Sequence, residues 1–115
     1  MTVQNNFLFF DEQNTAADSN ELINIASDLL TVQVAAKTGK TFTLEVQGKT
    51  DINMGFEPLL GVTVSDVTGS ISEVPEINAN GIYAFDIAGI SVIRVSITSI
   101  DEGADLRVFG RCTGW

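Results

Sequence analysis

A chain of 115 residues, 44% hydrophobic and 18% charged, is long enough for one packed core without disulfides or metals. A formal charge of −9 repels phosphate backbones and anionic lipid, so neither nucleic acid nor a membrane is an expected partner. The absence of histidine excludes, within one chain, a Ser-His-Asp or Cys-His nucleophile and a histidine-based zinc site, and the single Cys112 excludes an internal disulfide.

The opening Met1–Asn6 lacks the basic region and long apolar run of a signal peptide, and no window approaches the ~18 apolar residues of a membrane span. The chain is therefore expected to be made and folded in a cytoplasm. Phe7, Leu8, Phe9 and Phe10 form a very apolar run that stops at Asp11 and Glu12. Such a run needs cover, either as an edge strand of the domain's own sheet or as an arm docking on a neighbour. Residues 1–17 are read as that arm or edge strand, and residues 18–115 as the domain proper. The first 28 residues carry Asp11, Glu12, Asp18, Glu21 and Asp28 and no base, which reads as a solvated acidic segment.

Residues 18–30 carry two signals. Asp18-Ser19-Asn20-Glu21 fits a capping box ahead of Leu22, Ala26, Leu29 and Leu30 at helical spacing. Leu22–Ile25 also reads as a short strand and Ser27-Asp28 as a turn, and strand-turn-strand is the favoured reading. Leu30, Val32, Val34 and Ala36 then alternate with polar and small residues. After the turn at Thr38-Gly39-Lys40, Phe42, Leu44 and Val46 do the same, which predicts a hairpin with a loop of about four residues. Residues 48–61 form an irregular excursion, Val62–Val64 resumes strand character, and Pro75 argues against a central strand beyond Asp66.

The clearest periodicity lies at 82–98. Tyr83, Phe85 and Ile87 share one face, and Ile93, Val95 and Ile97 another, with Arg94, Ser96 and Thr98 turned outward. A tight corner at Ala88-Gly89 makes these a hairpin-like pair. In the tail, Leu106, Val108, Gly110 and Cys112 alternate with Arg107, Phe109 and Arg111. Seven to eight short strands with glycine-rich turns predict an all-β chain, an antiparallel β-sandwich of jelly-roll-like form.

The residues offer little chemistry. No Walker pattern or G-x-G-x-x-G follows a strand, and no catalytic, metal or cofactor-binding residue is assigned, so the chain is expected not to be an enzyme. Asp101-Glu102-Gly103-Ala104-Asp105 lacks the spacing of an EF-hand loop and reads as a turn. Asp86 is a candidate partner for Arg94 or Arg107. Among the aromatics, Tyr83 and Phe109 are expected in the core, which leaves Phe56 and Trp115 as the candidate platform for stacking on a sugar.

The run Gly81-Ile82-Tyr83-Ala84-Phe85-Asp86-Ile87-Ala88-Gly89-Ile90-Ser91-Val92-Ile93-Arg94 resembles a pattern of small β-sandwich structural proteins in tailed-bacteriophage virions. Val108-Phe109-Gly110-Arg111 resembles their following strand. Leu30–Val34 and Phe42–Val46 resemble their earlier paired strands. The chain departs from that pattern at Gly48–Phe56, which lacks the family's tryptophan. The resemblance implies a virion protein without a catalytic residue. The expected role is capsid decoration, with the major capsid protein or other virion proteins as partners and a homo-oligomer, a trimer by analogy. On that reading Phe7, Leu8, Phe9, Phe10 and Trp115 are the candidate protein interface. The alternative is a tail or baseplate adhesin-type module that binds carbohydrate through Phe56 and Trp115.

Overall fold

Each long run of alternating residues becomes a strand with its apolar side turned inward, as a period of two demands of a pleated backbone. The computed structural model describes residues 3–23, 27–64 and 73–114. Among them are ten strands and no helix: β1 (Val3–Gln13), β2 (Leu22–Ile23), β3 (Leu29–Ala35), β4 (Phe42–Lys49), β5 (Glu57–Pro58), β6 (Gly61–Thr63), β7 (Glu73–Val74), β8 (Gly81–Asp86), β9 (Val92–Ile100) and β10 (Leu106–Gly114). β2 falls within the short strand that the sequence favours at Leu22–Ile25, whereas β5 and β7, each two residues long, carry no alternation that announces them.

The strands form two antiparallel sheets, in the orders β1-β10-β3-β8-β6-β7 and β2-β9-β4-β5. The chain is a β-sandwich. Its core joins the inward sides of both sheets, with Leu30, Val32 and Phe85 from one packed against Leu44, Val46 and Val95 from the other.

Between Asp18 and Ile23 the chain runs beside β9 rather than coiling into a helix. Ser19 N–H donates to the Val95 carbonyl at 2.8 Å, and the Ser19 hydroxyl accepts from Val95 N–H at 2.8 Å. A side chain inside the expected capping box, Ser19, thus serves as a substitute ladder rung. The Ser96 hydroxyl donates to Asp18 Oδ1 at 2.6 Å, which buries Ser96 although its strand position points outward.

The two expected hairpins are not hairpins. β3 and β4 lie in different sheets, as do β8 and β9, and as do β9 and β10. Each short connection is an arch that carries the chain across the core, and each holds a glycine at positive φ: Gly39 at 83°, Gly89 at 82° and Gly103 at 78°. An arch and a hairpin require the same alternation and the same turn residues. They differ only in whether the inward sides of the two strands lie side by side or face each other.

β1 pairs with β10 from Val3 opposite Gly114 to Gln13 opposite Leu106, with register irregularities between Leu8 and Phe10 and between Phe10 and Gln13. The first of these lets two consecutive rings face inward. Phe10 is buried, while Phe7 and Phe9 pack against the core from a partly buried position. Leu8 is left on the outer side.

Candidate interaction surface

β10 alternates strictly, so Arg107, Phe109 and Arg111 all stand on the outer side of the six-stranded sheet. Register then sets their neighbours. Phe109 lies opposite Leu8 on β1 and opposite Gln33 on β3, Gln33 lies opposite Ile82 on β8, and Val64 N–H donates to the Ile82 carbonyl. These pairings lay Leu8, Phe109, Gln33, Ile82 and Val64 in one row across the sheet. Leu8 is 52% exposed, Phe109 40% and Val64 55%. Beside the row, Leu8, Gln33, Ala35, Arg107 and Phe109 line a hollow of about 440 Å³.

A row of large apolar side chains on an outer sheet face is exposed surface that the fold itself does not use. Two of the six basic residues, Arg107 and Arg111, stand on β10 in this face, and the acidic Asp86 stands on the same side of β8. Arg107 Nε donates to Asp11 Oδ1 at 3.0 Å, which ties the rim of the face to the end of β1. Phe109 therefore does not belong to the core, as an aromatic on an alternating strand was expected to.

The outer side of the four-stranded sheet is a hydrogen-bonded polar surface. Arg94 Nε donates to Gln47 Oε1 at 2.8 Å, and its Nη1 lies 3.4 Å from Asp18 Oδ2. The guanidinium also sits over the Phe56 ring, 4.0 Å from its centroid, and Lys49 Nζ lies 4.5 Å from the same centroid. Phe56 is thus covered by two cations instead of standing free as a stacking platform. Asp86 pairs with neither Arg94 nor Arg107; its Oδ1 accepts from Ala88 N–H at 3.1 Å, inside the corner.

At the end of the sandwich where β9 arches to β10, the carboxylates are occupied by their own scaffold. Asp101 Oδ2 accepts from the N–H and hydroxyl of Thr41 at 2.8 and 3.0 Å, and these bonds hold its carboxyl below the ordinary range. Asp105, at φ 47°, is 2.6 Å from Lys37 Nζ and accepts from Asn14 Nδ2 at 2.8 Å. The Lys37 bond, then Asn14, hold its carboxyl low, and the same pairing pushes the Lys37 ammonium up. Among the described residues no three acidic or cysteine side chains are grouped to hold a metal ion. Burial pushes the Cys112 thiol up, as expected of a small core side chain.

The fold is similar to that of two prophage proteins. One is the SPBc2 prophage-derived protein YomS, with a TM-score of 0.82 and 17% identity over 99% of this chain and 96% of that one. The other is the PBSX exported protein XepA, with a TM-score of 0.83 and 23% identity over 98% of this chain. The chain spans 38% of XepA. At these identities the likeness is one of fold. No protein-family model matches the chain, and no curated protein matches it in sequence.

Of the residues singled out from the sequence, the structure places Leu8 on the exposed face and Phe7, Phe9 and Phe10 on the opposite, inward side of the same strand. Trp115 lies outside the described residues. Sequence reading did not single out Ile82, Val64, Gln33 or Ala35. The outward phase of Ile82, Gln33 and Ala35 is visible in the alternation, whereas Val62-Thr63-Val64 suggests the opposite phase for Val64; which strands lie side by side is not visible, and only the register joins them into one row.

Proposed function

We propose that the protein is a non-catalytic component of a bacteriophage virion, a capsid decoration protein that seats the outer face of its six-stranded sheet on the major capsid protein. The observation that carries the phage assignment is the likeness of fold over 98–99% of the chain to two prophage proteins. The face with Leu8, Phe109 and Val64 suits this role, because it offers exposed apolar area to a partner with apolar groups of its own. Many copies on a repeating lattice need only modest affinity each. The adhesin reading requires a free aromatic platform, and Phe56 lies beneath Arg94 and Lys49, so the sheet face takes precedence.

The test is to purify particles from cells carrying the gene and to locate the protein by immunogold labelling. Particles lacking it are then supplied with purified wild type or Phe109→Lys. Gold on heads, with wild type restored to them and the lysine variant at least tenfold weaker, is the expected result. Gold on tails, or a protein absent from particles, overturns the capsid assignment. Wild type and Phe109→Lys binding equally overturns the role of this face.

A further inference from the structure

Two sheets have four edges, and among the described residues three of them are formed by β7 on one sheet and by β2 and β5 on the other. β5, two residues long, carries Glu57 and Pro58, a charge and a proline that guard against unwanted pairing. The fourth edge is β1, eleven residues long, which pairs with β10 on one side and with no described strand on the other. Its far half is blunted by the irregularity at Phe9, by Asp11, and by Glu12 at φ 51°. Its near half, Val3–Leu8, keeps unbroken register with β10 and carries no proline, no bulge and no charged side chain.

We infer that this half of β1 is a self-association edge, at which Val3–Leu8 of two copies pair antiparallel about a two-fold axis and join two six-stranded sheets into one. The occupant follows from charge. Two chains of net charge −9 repel each other, and among the four edges the near half of β1 carries no acidic side chain, whereas β5 carries Glu57, β7 carries Glu73 and the chain entering β2 carries Glu21. An open antiparallel edge is complementary to its own copy, so the contact closes after two subunits. It thus differs from the threefold arrangement that the family resemblance implies. The inference rests on the edge and on charge, and stands whether or not the protein belongs to a virion.

The experiment uses the full chain in sedimentation velocity and light scattering over a concentration series, at 50 and 500 mM NaCl. Wild type is expected to pass from one to two copies as concentration rises. Added salt is expected to favour the pair by screening repulsion between the acidic bodies. Asn6→Lys places two like charges near the axis on an exposed outer position and is expected to weaken pairing at least tenfold; because Asn6 lies opposite Arg111 of its own chain, urea unfolding at a concentration where wild type is a single copy separates this from any loss in the β1–β10 ladder. Amide hydrogen exchange of the wild type supplies a readout that needs no variant. Within Val3–Leu8, the N–H groups that do not face β10 are expected to become protected only at concentrations where two copies associate. A monomer at every concentration, an assembly that salt dissolves, a complex that Asn6→Lys leaves intact, or outward amides that exchange freely within the complex would each overturn the inference.

Discussion

A Cβ on Gly110 would lie 2.5 Å from Phe9 Cε2 and 3.3 Å from Leu30 Cδ1, so the Phe9 ring covers the space that a side chain would need. An aromatic laid over a glycine restores packing that the bare strand lacks. Gly110→Ala is therefore expected to cost about 1–3 kcal/mol in urea unfolding. Phe9→Leu should relieve part of that cost, so the double variant will be more stable than the sum of the two single effects. Strict additivity would show that the ring does not rest on Gly110. A second residue-scale effect concerns acid. Asp101 and Asp105 both have folded pKa values below their ordinary one, so the unfolded chain takes up those protons first. Their stabilisation is complete above the unfolded value of about 4 and is lost as pH falls through the lower folded values. Exposure to solvent keeps it small. Lys37, with its pKa raised, reports the same ion pair from the other side, present below about pH 10.4 and lost as pH rises through its folded value. Urea midpoints of wild type and Asp105→Asn should differ at pH 7 and converge toward pH 2; a constant gap would remove Asp105 as the cause.

At the scale of elements, the arch between β8 and β9 depends on one backbone conformation. Gly89 has φ 82°, and a methyl group added there would meet nothing within 4 Å, so Gly89→Ala tests strain without crowding. The expected loss is about 1–2 kcal/mol in urea unfolding. No loss would mean that the corner tolerates another conformation. This corner also shows what a sequence of this kind reveals. Tyr83, Phe85, Ile93 and Val95 are legible as inward-facing because a period of two survives any arrangement of neighbours. The partner of each strand is not legible, since pairing is set by long-range burial and not by the local alternation. The exposed row is hidden for the same reason. Leu8 and Phe109 lie 101 positions apart in sequence (109 − 8) and become neighbours only through the β1–β10 register. Phe109 runs against the sequence expectation because its outward phase on β10, rather than its aromatic character, decides where it stands.

For the whole molecule, the pairing of the first strand with the last has a mechanical consequence. Val3 lies opposite Gly114, so both ends of the described chain leave the sandwich at the same end of one antiparallel ladder. The rungs of that ladder run across the strands. A load applied through the two chain ends meets them one at a time, from Val3 and Gly114 inward, and peels β1 from β10 as a zipper opens. A load applied between residues 3 and 105 draws the same two strands lengthwise past each other and must strain many rungs together. In single-molecule pulling, the first geometry is expected to unfold at a markedly lower force than the second, and equal forces would place the resistance elsewhere in the sandwich. If force reaches this protein through its two chain ends, it will yield by losing β1 first, which strips the cover from Phe7, Phe9 and Phe10 and leaves β10 as a new open edge.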